Sequence, residues 1–180
     1  MLGANPISSF QDNSPKATQC ANLYPSVRDY VLGSHPWNFA TKRVLLNPDS
    51  QAPAFDWSKQ YTLPSDFVRI LSVGESGSEN EYRIENGKIL TDAAPLKLRY
   101  VWLNTNEGTW TPTMVWAMTV SMRQVLAYPI TQSTSLEQLI DQAIEPILKR
   151  ARSVDSMDQP PEQLGDSRLL GSRFGRRPIN

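Results

Sequence analysis

The sequence is short of the parts that most chemistry needs. It has one cysteine, Cys20, and one histidine, His35, among 180 residues. A lone cysteine cannot close an internal disulfide, so nothing in the chain asks for an oxidising compartment, and a reducing cytoplasm suits it. A single histidine leaves any nucleophile one candidate base, and that residue is wedged between Ser34 and Pro36. HExxH, paired CxxC, Walker and GxGxxG patterns are missing, and they are the minimum parts of metal hydrolysis, zinc folding and nucleotide binding. An excess of charge is missing too. Lys plus Arg and Asp plus Glu both number 18, so no net field draws the chain to nucleic acid or an anionic membrane, and any basic surface is local. No apolar run approaches the roughly 20 residues that span a bilayer. The start MLGANPISSF lacks a basic stretch followed by an apolar one, so neither an export signal nor membrane insertion is expected.

What is present is enough for a folded domain. Hydrophobic residues make up 39% of the chain and prolines number 14, the first adequate for a core. Ser14 and Pro15 open a helix as N-cap and first-turn proline, and Ala17, Cys20, Ala21, Tyr24, Val27 and Val31 continue it at helical spacing to Gly33. Pro25 lies inside that pattern and predicts a kink or a split. From Phe39 to Leu103 the signal changes to short β-rich runs separated by Pro, Gly, Asn and Asp. Among them YRIENGKILTD is the clearest hairpin, with Asn86 and Gly87 suited to a two-residue type I′ turn.

Thr111 and Pro112 open a second helix that is expected to stop at Pro129. A third follows. Thr134 and Glu137 form a capping box, and Leu136, Leu139, Ile140, Ala143, Ile144, Ile147, Leu148 and Ala151 trace one apolar stripe, with a bend expected at Pro146. Two adjacent amphipathic helices on a short loop predict an antiparallel pair. Beyond Ser153 the apolar period disappears, and the remainder reads as a tail in which Arg168, Arg173, Arg176 and Arg177 are interleaved with Leu169, Leu170 and Phe174. The expected fold is α+β: a bundle of three or more helices (about 14–33, 112–128 and 134–152) with a small antiparallel sheet (about 39–103) inserted between the first and second. One domain is expected over 1–153, with an extended arm over 154–180.

Each chemically suggestive residue also has a plain reading. His35 reads as a turn histidine bonded to backbone, and Cys20 as a small buried hydrophobe on a helix face. Glu137, Asp141 and Glu145 recur every four residues opposite the apolar stripe, and Lys149 extends the row, as on a solvated face. The five tryptophans and six tyrosines fall mostly in the apolar phase of strands and helices and read as core and subunit contacts. The arginine-rich tail suits nucleic acid or an acidic protein surface equally well.

Several segments together resemble one family: LGANPISSF, CANLYPSVRDYVL, SHPWNFATKRV, LPSDF, YRIENGKILTD and LRYV. In order and spacing they look like the head-to-tail adaptors of short-tailed bacteriophages, the family that includes tail tubular protein A. The resemblance runs from Leu2 to about Tyr128, and its most specific part is Trp37, Asn38, Phe39 and Ala40. It implies a structural protein with no enzymatic activity and no cofactor or metal. Such a subunit forms a homo-oligomeric ring, a dodecamer, beneath the portal protein, joins it to the tail nozzle protein, and continues the channel for double-stranded DNA without binding it specifically. It assembles in the host cytoplasm and resides in the virion at the head-tail junction. By position, Arg168, Leu169, Leu170, Arg173, Phe174, Arg176 and Arg177 would dock on the portal, while Trp37, Asn38, Phe39, Asn86 and Gly87 would be structural. Two alternatives stand beside it: a virion-associated peptidoglycan hydrolase with Glu107, Glu137 or Glu145 as acids, and a nucleic-acid-binding module acting through the arginine tail.

Overall fold

A computed structural model describes residues 7–75 and 78–157. Among the described residues three α-helices carry the α part: α1 (Pro15–Ser34), α2 (Pro112–Thr131) and α3 (Thr134–Met157). Seven strands lie between α1 and α2: β1 (Thr41–Leu46), β2 (Lys59–Thr62), β3 (Phe67–Glu75), β4 (Ser78–Glu79), β5 (Arg83–Glu85), β6 (Lys88–Thr91) and β7 (Leu96–Trp102). They form two sheets, one of four strands in the order β1-β7-β3-β4 and one of three in the order β2-β6-β5. The expectation of one small sheet inserted in a helical bundle is therefore corrected. The α+β class stands, but the strands build two sheets and are a principal part of the fold. The physical reason is that sheet membership is set by long-range pairing, as when Lys59 pairs with Thr91, which the local pattern of the runs does not specify.

The described residues divide into two compact units, one of residues 7–42, 64–71 and 100–157, the other of 43–63, 72–75 and 78–99. In the first, α2 packs against both α1 and α3. Its core combines Val27, Val31, Leu32 and Trp37 with Val101, Met114, Ala117, Ile140, Ile144, Leu148 and Ala151. In the second, β2, β6 and β5 pair antiparallel, with Tyr61 opposite Ile89 and Ile84 opposite Ile89 on the other side. Tyr61 and Ile89 are fully buried there.

Two of the three helix start signals read from the sequence hold. Ser14 Oγ accepts from the Ala17 N–H at 3.2 Å, and the Thr111 side chain accepts from the Met114 N–H. The hairpin turn is present, with Glu85 opposite Lys88 and positive φ at both Asn86 (47°) and Gly87 (71°), the signature of type I′. Three details differ. Pro25 leaves α1 a single helix, and α2 runs through Pro129 to Thr131 before Gln132 ends it at φ 54°. A proline loses its own donor and crowds the carbonyl four residues back, but the remaining hydrogen bonds of the helix carry it past that one position here. Helix α3 begins at Thr134, so the cap position falls on Ser133, and it continues to Met157, four residues past the expected start of the tail.

Candidate functional site

The first unit carries an apolar groove of about 1060 Å³. Its origin lies in the width of the α3 stripe. Ile140, Ile144, Leu148 and Ala151 form an inner row that is buried. Leu139, Ala143 and Ile147 form an outer row beside it that lines the groove, and Leu139 is 64% exposed. Helix α2 supplies the facing wall with Val115, Trp116, Thr119, Met122 and Arg123, and α1 supplies Cys20 and Tyr24. Trp116 is 56% exposed. Between Pro112 and Thr131 the only charged residue is Arg123. A helix that is apolar all round is ordinarily buried on all sides, so the exposed side of α2 is a surface made for contact.

At one end of the groove the Tyr24 hydroxyl donates to Glu107 Oε1 at 3.0 Å. Burial, and then that bond, push the Tyr24 hydroxyl up to about 12. Cys20 is half-buried in the wall, where sequence reasoning expected plain burial.

The buried polar groups lie elsewhere and act as pins. Trp37 is fully buried and its indole N–H donates to the Val31 carbonyl at 2.9 Å. His35 packs edge-on against that ring with centroids 4.8 Å apart. His35 Nε2 lies 3.2 Å from Asp155 Oδ2, so the residue expected to bond backbone bonds a carboxylate from the end of α3. The same oxygen accepts from the Asn38 N–H at 3.2 Å, and the Asn38 side-chain amide donates to the Asp155 carbonyl at 2.7 Å. Burial holds the His35 imidazole below its ordinary value. Asp155 opposes that shift, and the Arg152 and Arg69 charges reinforce it.

A second pin surrounds Asp66. Lys42 Nζ lies 2.6 Å from Oδ2, and the Tyr100 hydroxyl donates to Oδ1 at 2.9 Å. Lys42 also stands 3.6 Å above the centroid of the Trp102 ring, a cation–π contact. Burial alone would raise the Asp66 carboxyl, but the Lys42 and Tyr100 bonds outweigh it and hold the group below its ordinary value. Burial and the bond to Asp66 push Tyr100 up to about 12.

The sequence-derived residues thus fall into distinct places. Trp37, Asn38 and Phe39 meet at the Asp155 pin and the core. Asn86 and Gly87 form the hairpin turn of the other unit. Arg168, Leu169, Leu170, Arg173, Phe174, Arg176 and Arg177 lie outside the described residues. Of the three glutamates considered as acids, Glu107 bonds Tyr24, Glu145 faces Arg152 at 3.8 Å, and Glu137 stands in the first turn of α3. Among the described residues no group of three or more His, Cys, Asp or Glu could hold a metal ion, and no helix is long and apolar enough to cross a membrane. Sequence reasoning missed Asp155 and the groove. The groove had a visible signal, the unusual width of the α3 stripe and the single charge of α2, whereas an aspartate after the last apolar position gives none.

No protein-family model matches the chain, and no curated protein matches it.

Proposed function

We propose that this chain is a structural head-to-tail adaptor of a short-tailed bacteriophage. It would form a ring under the portal, join it to the tail nozzle and continue the DNA channel. The observation that carries the reading is the exposed apolar groove. With Trp116, Leu139 and Val115 open to solvent, the groove has the chemistry of a protein contact rather than of a reaction. The resemblance in sequence supplies the kind of assembly.

The placement of the resembling segments also supports it. Lys42 from the segment ending TKRV, Asp66 from LPSDF and Tyr100 from LRYV converge on one carboxylate. His35 and Asn38 from SHPWNF converge on another, with Trp37 packed edge-on against His35. These residues hold elements in register, as expected of a subunit whose function is its shape. A neutral chain suits a conduit, because each phosphate neutralised by Lys or Arg adds affinity and slows a sliding polyanion.

Mixing the purified protein with the portal ring of its own phage tests the reading. An added ring beneath the portal supports it. No association, together with clearing of peptidoglycan or salt-sensitive DNA binding, replaces it with one of the two alternatives.

A further inference from the structure

A groove needs an occupant, and the chain carries a matching projection on its other unit. The connection between β1 and β2, residues 47–58, carries Phe55, which is 77% exposed. The connection is nonetheless braced. The Asp49 N–H donates to the Gln60 carbonyl at 2.8 Å, and the Ser58 N–H donates to Asp92 Oδ1 at 2.8 Å. The Asp49 carboxylate accepts from Lys88 Nζ at 2.8 Å and from Thr62. At the tip the Trp57 N–H closes back on the Phe55 carbonyl at 2.8 Å, with Asp56 at φ 67°. A large aromatic side chain on a braced loop loses little conformational freedom when it binds, which is what an interface anchor requires.

Charge adds a second match. Asp56, next to the exposed ring, has no ion-pair partner among the described residues, and neither has Arg123, the one charge on the α2 wall. An apolar anchor beside an unpaired acid faces an apolar groove beside an unpaired base.

We infer that the groove receives the Phe55 loop of a second copy of this chain, with Phe55 between Trp116 and Leu139 and Asp56 paired with Arg123. The two matching features belong to different units of one chain, and where each copy's loop enters the groove of a further copy the contacts are head-to-tail and either close into a ring or run on as a filament. The inference deepens the adaptor reading and rests on it for closure into a ring.

Cross-linking between two populations of the full-length chain tests it. Both carry Cys20→Ser, one adds Ala54→Cys, an exposed position beside the Phe55 anchor, and the other Thr119→Cys, and a short bis-maleimide is applied to each alone and to the mixture. The expected result is a cross-linked dimer in the mixture only. A dimer in the Thr119→Cys population alone means groove-to-groove pairing and overturns the proposal, as does the absence of any dimer at concentrations where the protein assembles. In a Cys-free background, Arg123→Asp and Asp56→Arg should each weaken self-association by roughly tenfold or more, and combining them in one chain should restore it. Circular dichroism establishes that each variant is folded. If wild-type rings form on the portal without the cross-link, this interface is wrong and the adaptor reading stands. If the cross-link forms and the portal is ignored, the adaptor reading falls and the interface stands.

Discussion

His35 and Asp155 are 120 positions apart in sequence and meet inside the protein, with Nε2 3.2 Å from Oδ2. The contact ties the exit of α1 to the last turn of α3. Because burial lowers the imidazole below its ordinary value of 6.5, the unfolded chain takes up the proton first as pH falls. The pair's contribution is therefore present above about pH 6.5 and is lost as pH drops through the depressed folded value. Urea midpoints measured from pH 7.5 to 5 should fall across that window, and His35→Gln should flatten the change. A midpoint that rises on acidification would mean the imidazole is charged in the folded state.

Asp155→Ala removes the acceptor of both His35 and the Asn38 N–H. Each buried group left without a partner costs about 1–3 kcal/mol, so urea or thermal denaturation should show a loss of that order. Deleting residues 154–180 should cost at least as much. A tail without structural role from residue 154 predicts no change in either variant.

Around Asp66, the exposures of Lys42 and Asp66 (41% and 31% of the side chain) make the ion pair a modest contributor. Tyr100→Phe should cost about 1 kcal/mol for one hydrogen bond. The lowered Asp66 carboxyl contributes stability above its ordinary value of 3.8 that is lost as pH falls below it. Acid titration of the wild type and Asp66→Asn should show the variant less sensitive below pH 4. Identical acid profiles would contradict the account.

Gly87 sits at φ 71° with nothing near the place a Cβ would occupy. Gly87→Ala should therefore cost only the backbone strain, about 1 kcal/mol, and Gly87→Asn less, because asparagine tolerates the left-handed region. Thermal melts of the two variants measure the difference. Equal melts would argue against the type I′ turn.

Local chemistry was legible in the sequence, and long-range pairing was not. Ser14, Thr111 and the Asn86-Gly87 turn announce themselves within four residues, since each satisfies backbone groups beside it. The division of the strands into two sheets depends on which runs find each other, as when Lys59 pairs with Thr91, and no local pattern specifies that. Asp155 looked like the start of a tail because polarity was read as exposure. It is buried by partners more than a hundred residues away. The α3 stripe was read correctly as apolar, but periodicity cannot say that its outer row, with Leu139, stays open. That depends on how much of α3 the facing helix covers.

The most direct test of the adaptor account images the portal ring of the protein's own phage by electron microscopy after adding the full-length chain, the Trp116→Glu variant, or a chain truncated after Pro160. The account predicts an added ring beneath the portal with the full-length chain and its loss with Trp116→Glu, and the truncation tests whether the arginine tail is needed for docking. A bare portal after incubation with the folded full-length chain would contradict the account.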